Sequence, residues 1–263
     1  GTGKTRVITH RIAYAINSGV TDPTKVLALT FTAKAAGEMR ARLRGLGISN
    51  ATARTFHSAA LKQLLYFWPY AFGGQFPSLL PSKSGFISQA ISRADVAIPA
   101  SAAALREISG EIEWAKVLEI SPENYQEQAV ANDRSVKLPN NKGASENLAM
   151  IAQVYEAYES LKKQERGLDF EDVLLLYVGM LEEDRGVRER VRDQYRYFTV
   201  DEYQDVSPLQ QRLLNLWLGN RQEICVVGDA AQTIYSFAGA TSNFLLNFQN
   251  RFPNAQLFRL SRG

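Results

Sequence analysis

Lys4 and Thr5 follow directly on a glycine near the head of the chain, in the run Gly1-Thr2-Gly3-Lys4-Thr5 with Arg6 behind it. Chemistry at phosphates asks for this set. Glycines let backbone amides close on phosphate oxygens, a lysine neutralises the outer charges, and the adjoining hydroxyl holds magnesium. The run reads as the closing half of a phosphate-binding loop, with a helix expected from Arg6. A second set lies far down the chain, where the apolar Tyr197-Phe198-Thr199-Val200 ends in Asp201-Glu202-Tyr203-Gln204-Asp205. A carboxylate at a strand's carboxyl end can hold a magnesium ion beside nucleotide phosphates, and its neighbour can polarise an attacking water. Each set alone has a bland reading: a chance Gly-Lys-Thr, or a solvated acidic turn. Taken together they make Asp201 a candidate metal ligand and Glu202 a candidate base.

A third kind of chemistry is stacking. Tyr235 and Phe237 stand two apart after the apolar Ile224-Cys225-Val226-Val227, in a segment of small residues. An aromatic face stacks on any base, worth about 1–3 kcal/mol per base without sequence preference. Two core rings would show the same spacing, so residue types leave both readings open. His57 likewise suits a core or capping role as well as a ligand contact. Lys34, Arg40, Arg42 and Arg44 share one expected helix, a solvated face or, at Lys34 above all, a phosphate contact. Cys225 reads as a packed core thiol, and with His10 and His57 as the only histidines no zinc site can be assembled.

The elements that must position these groups fall into three blocks. Up to about Leu65, the apolar Val7-Ile8 and Val26-Leu27-Ala28-Leu29 alternate with helix-like stretches, as in an α/β domain. Trp68 to Gly85 carries Pro69, Gly73, Gly74, Pro77 and Pro81 and reads as a loop-rich boundary. From Ser84 to about Gly167 the pattern is wholly helical. Ser101 precedes Leu105, Ile108, Ile112 and Ala115, Ser121-Pro122 is a start signal, a long helix is expected over Ser145 to Arg166, and Asp169 would cap the next. The last block returns to short apolar runs ending in acids, which suit parallel strands with ligands at their carboxyl ends; Ser207-Pro208 opens a helix between them. The chain therefore reads as a parallel-sheet α/β domain, 1–67 and 167–263, interrupted by a helical insertion, 68–166.

Composition sets wide bounds. A net charge of +3 does not by itself argue for nucleic acid, and one cysteine excludes an internal disulfide framework and fits a reducing compartment. No stretch approaches the roughly 18 apolar residues of a membrane span, and no signal peptide opens the chain, so the cytoplasm is the expected location and no membrane partner is expected.

In order, Thr30-Phe31-Thr32-Ala33-Lys34-Ala35-Ala36, Thr55-Phe56-His57-Ser58, Asp169-Phe170-Glu171-Asp172-Val173-Leu174, Val200 to Asp205 and Val227-Gly228-Asp229-Ala230-Ala231-Gln232-Thr233-Ile234-Tyr235-Ser236-Phe237-Ala238-Gly239-Ala240 resemble the motifs of the UvrD/Rep/PcrA family of superfamily 1 DNA helicases. Trp114-Ala115-Lys116 with Ser121-Pro122-Glu123 is similar to that family's helical insertion. The resemblance spans nearly the whole chain. It implies a RecA-like P-loop ATPase domain that binds ATP and Mg2+ through Gly1 to Arg6, with Lys4 on the phosphates, Thr5 and Asp201 on the metal, Glu202 as catalytic base and Gln232 sensing the terminal phosphate. It further implies that Phe31, Lys34, His57, Phe170, Tyr235 and Phe237 touch single-stranded DNA. The implied activity is 3′ to 5′ movement along one strand with unwinding at duplex junctions, in DNA repair or replication. Ala238 stands where such proteins usually carry arginine, which keeps open a protein-displacing translocase that does not unwind. By the same resemblance the chain enters the phosphate loop midway and stops short of a second motor domain, so by itself it is expected to be catalytically silent.

Overall fold

In the computed structural model, residues 3–140, 142–232, 239 and 241–259 are described. Helix α1 (Lys4–Asn17), strand β1 (Val26–Thr30), helix α2 (Ala33–Gly45), strand β2 (Thr52–Thr55) and helix α3 (Phe56–Ala71) come first. Then follow β3 (Ser78–Leu79), α4 (Lys83–Ala94), α5 (Ala102–Val117), α6 (Pro122–Ala131), α7 (Ala144–Glu165) and β4 (Gly167–Leu168). The remainder is α8 (Phe170–Glu183), α9 (Arg185–Gln194), β5 (Tyr197–Val200), α10 (Pro208–Leu218), β6 (Ile224–Val226), α11 (Asn243–Leu246) and α12 (Phe248–Arg251). The described residues divide into two compact units, one of 3–73, 176–232 and 241–259, the other of 74–140, 142–175 and 239.

The first unit is built on a parallel sheet in the order β2-β1-β5-β6. β1 is buried along its whole length, as a continuous apolar run in a parallel sheet with both faces covered must be. On one face Ile8 and Ile12 of α1 and Met39 and Leu43 of α2 pack against Val26 and Ala28. The alternate residues face a second layer, where the Trp217 ring of α10 stacks between Phe56 and Phe198, 6.2 and 6.1 Å away. Trp217 Nε1 also donates to Tyr177 Oη at 3.1 Å, so the largest ring in that layer leaves no polar atom orphaned. β1 and β5 run in register with Leu29 beside Val200, which brings Thr30 and Asp201 to the same carboxyl edge.

Two expectations are corrected here. Val7-Ile8 belongs to α1, with only Ile8 turned into the core. The boundary expected from Trp68 begins later, because α3 continues to Ala71 through Pro69. Near the end of a helix, proline removes just one donor, so the turn survives it.

The second unit packs α4, α5, α6 and α7 around Ile108, Ile112, Trp114, Tyr125, Ile151 and Tyr158. Ser101 caps α5, and α7 runs over Ala144–Glu165, within a residue of the expected helix. The block is not wholly helical. Residues 132–140, 142 and 143 lie outside any helix, and β3 pairs in parallel with β4, Ser78 beside Gly167. Buried Glu111 accepts from Tyr125 Oη at 2.6 Å and from Arg134 Nε at 2.9 Å, and that guanidinium lies 4.4 Å over the Trp114 ring. The only buried carboxylate of α5 is thus fully matched.

Candidate nucleotide site

α1 starts where Gly3, at φ 77°, turns the chain in the left-handed region that glycine adopts freely. Its first turn points Lys4 and Thr5 at the carboxyl end of β5. Thr5 Oγ1 donates to Asp201 Oδ2 at 2.9 Å, and Lys4 Nζ donates to Glu202 Oε2 at 2.9 Å. Thr9 Oγ1 donates back to the Thr5 carbonyl at 3.0 Å and ties down the turn. Asp201 is held in line by the sheet, its N–H donating to the Leu29 carbonyl at 2.9 Å. Glu202 takes φ 50°, a left-handed backbone that costs energy outside glycine and turns its carboxylate back toward Lys4. Burial raises the Asp201 carboxyl above its usual range, against the lowering effect of the Thr5 hydroxyl, and the Glu202 charge pushes the same way as burial. A buried carboxylate beside a hydroxyl is a hard-oxygen pair of the kind magnesium takes, and a cation between them would relieve that burial.

Gln204 knits the two loops above β5 and β6. Its side-chain nitrogen donates to Glu202 Oε2 at 3.0 Å and Asp205 Oδ2 at 3.1 Å, while its oxygen accepts from the Asp229 N–H at 2.9 Å. Gln232 donates to Asp229 Oδ2 at 2.7 Å. Beside this frame lies a cleft of about 530 Å3 lined by Thr30, Phe31, Thr32, Asp201, Glu202 and Gln232. Lys4, Thr5, Asp201 and Glu202 are therefore joined by hydrogen bonds, and Phe31 and Gln232 share a cleft with the two acids.

The other singled-out residues are placed as follows. Arg6 and Lys34 are exposed in the first turns of α1 and α2, and His57 is half-buried in the first turn of α3, where Thr55 rather than the histidine is the cap. Arg40 is not free for phosphate, since its guanidinium donates to the Ala53 carbonyl at 2.7 Å. Phe170 opens α8 in the other unit and is 58% exposed. Gly1, Thr2, Tyr235, Phe237 and Ala238 lie outside the described residues. Sequence reasoning gave Gln204 no role, although it stood inside a quoted motif; a glutamine among three acids and a tyrosine was the available signal.

A family model described as the UvrD/REP helicase N-terminal domain matches residues 1–253. The chain is 48% identical over 273 residues to ATP-dependent DNA helicase UvrD2 of Mycobacterium tuberculosis strain H37Rv, covering 100% of this chain and 38% of that protein. It is 34% identical to ATP-dependent DNA helicase PcrA of Leuconostoc citreum and 30% identical to that of Staphylococcus aureus strain NCTC 8325, each over 100% of this chain and 34% of the relative. The chain thus spans between a third and two fifths of the length of these relatives. Among the described residues, no helix is long and apolar enough to cross a membrane.

Proposed function

The chain belongs to the UvrD/REP helicase N-terminal domain family, and from that premise we propose that it is the ATP-binding motor part of an enzyme that moves 3′ to 5′ along single-stranded DNA and opens duplex junctions, in repair or replication. The first unit is the motor domain and the second its helical insertion. One observation supports this reading above the rest. Side chains 196 and 198 residues apart in sequence pair off as hydroxyl with carboxylate and ammonium with carboxylate at one sheet edge.

In this reading Thr5 and Asp201 hold Mg2+, which when bound neutralises charge on the ATP phosphates. Lys4 exchanges its Glu202 partner for a phosphate oxygen, and Gly1 to Arg6 supply the surrounding phosphate contacts. Glu202, released from Lys4, orients and deprotonates the attacking water. Gln232 senses the terminal phosphate from the Asp229 loop. Phe31, Lys34, His57, Phe170, Tyr235 and Phe237 contact the strand, rings on bases and ammonium on phosphate.

The test is Glu202→Gln in the complete protein. Nucleotide binding should persist while turnover falls at least about a hundredfold, because the water loses its base and the charge clamp stays. Near-normal turnover would remove Glu202 from the mechanism. Ala238 favours a second reading, a translocase that displaces proteins without unwinding. DNA-stimulated ATP hydrolysis without strand separation would select it.

A further inference from the structure

One buried charge network in the second unit has no part in that mechanism. Lys116 and Lys162 place two ammonium groups among three carboxylates. Lys116 Nζ donates to both Asp169 oxygens at 2.9 and 2.7 Å, to Glu159 Oε1 at 3.2 Å and to Asp172 Oδ1. Lys162 Nζ donates to Asp169 Oδ2 at 2.9 Å and Asp172 Oδ2 at 2.5 Å, and pairs with Glu159 Oε1 at 2.9 Å. Tyr158 Oη adds a 3.0 Å bond to Asp169 Oδ2. The Lys116, Lys162 and Asp169 side chains are 2%, 3% and 0% exposed. Glu159, Asp169 and Asp172 alone would resemble a cation site, but the two ammonium groups already fill it.

The network closes on the first turn of α8. The Asp172 N–H donates to Asp169 Oδ1 and the Asp169 N–H to Asp172 Oδ2, each at 2.9 Å. The next acid, Glu171, is buried on Lys83 Nζ at 2.5 Å. Of the four residues 169–172, three are anchored inward on lysines, and the fourth, Phe170, carries an exposed ring. A buried ion network adds little net stability over apolar packing of the same volume, so what it contributes is defined geometry. A ring on a turn held that firmly loses little freedom when it stacks.

We propose that Lys116 and Lys162, through Asp169 and Asp172, are positioning residues that fix the first turn of α8 so that Phe170 presents its ring to a base of single-stranded DNA. This rests on the reading of Phe170 as a strand contact. It joins Trp114-Ala115-Lys116 to Asp169-Phe170-Glu171-Asp172, segments that the sequence shows only separately.

The test is a double-mutant cycle in the complete protein: Phe170→Ala, Lys162→Met and both together, titrated against a fluorescent oligo-dT. Each single variant should weaken binding about tenfold, the scale of one lost stacking contact, and the double should be no weaker than either single. The KM for ATP at saturating DNA should stay constant. The salt dependence of Lys162→Met should match the unaltered protein, because a buried lysine releases no counterion. Losses that multiply to about a hundredfold, or a Lys162→Met variant that binds normally, would overturn the proposal while leaving Phe170 a DNA contact. Normal binding by Phe170→Ala would instead sink the reading of Phe170 and this proposal with it. Where Lys162→Met does not fold, Asp172→Asn enters the same cycle, since it keeps the side-chain shape at a position 14% exposed.

Discussion

Asp169 shows how far single residues in this chain depart from their free chemistry. Burial opposes its charge, yet the Lys116 and Lys162 ammonium groups more than offset that and hold the carboxyl well below the usual carboxylate range. For Lys116 burial again works against the charge, and Asp169, Asp172 and Glu159 together raise it well above the ordinary lysine value. The depressed acid contributes stability that is complete above its unfolded value, about pH 4, and is lost as pH falls through the folded one. The raised base contributes stability present below about pH 10 and lost as pH rises through its own folded value. Asp169→Asn should therefore lower unfolding stability at pH 7 by about 3 kcal/mol, the scale of breaking a buried pair. The gap to the unaltered chain should stay constant down to about pH 4 and begin to narrow as pH falls below it. Urea titrations between pH 7 and pH 3 measure both, and equal midpoints at pH 7 would show that Asp169 carries no such load.

Among the elements, the loops after β5 and β6 depend on a close approach. A Cβ added at Gly228 would lie 2.6 Å from Gln204 Oε1 and 2.9 Å from Leu245 Cδ2. Gly228→Ala should cost about 1–3 kcal/mol and, if the proposed function holds, should lower ATP turnover of the complete protein about tenfold by moving Gln204 off Glu202. Gly85, inside α4 with open space around its Cβ position, is the control, and alanine there should stabilise by about 0.5–1 kcal/mol. Thermal melts and ATPase rates of the two variants decide it; a harmless Gly228→Ala would mean that Gln204 does not brace the site. Local signals account for what could be read beforehand. Ser101, Ser207 and Asp169 stand at helix starts because caps act within three residues. Lys4, Thr5, Asp201 and Glu202 could be singled out because each sits where a run of one character ends. The β3–β4 pair could not, since two residues per strand leave no period to detect, nor could the meeting of Lys116 with Asp169 across 53 positions. Gln204 was hidden for a related reason, because its bonds reach a loop 25 residues away.

At the scale of the molecule, the +3 charge is spread over 30 basic and 27 acidic residues, so no single field dominates and local geometry carries the reading. Among the described residues β6 is one of the sheet's two edge strands. β6 pairs with β5 along one edge, no strand among the described residues occupies the other, and Ile224, Cys225 and Val226 are only half-buried. A short apolar strand with a free row of N–H and C=O groups is a template for another chain. Sedimentation of the 263-residue chain should show mass rising with concentration, and Ile224→Lys, a charge on that edge, should hold it monomeric; an unaltered chain that stays monomeric would mean that the edge is covered. The practical outcome concerns storage and crystallisation. If the edge pairs in this way, the strand that carries the Asp229 loop would also set the concentration ceiling for a well-behaved sample, and a short peptide that occupies it would act as a solubiliser.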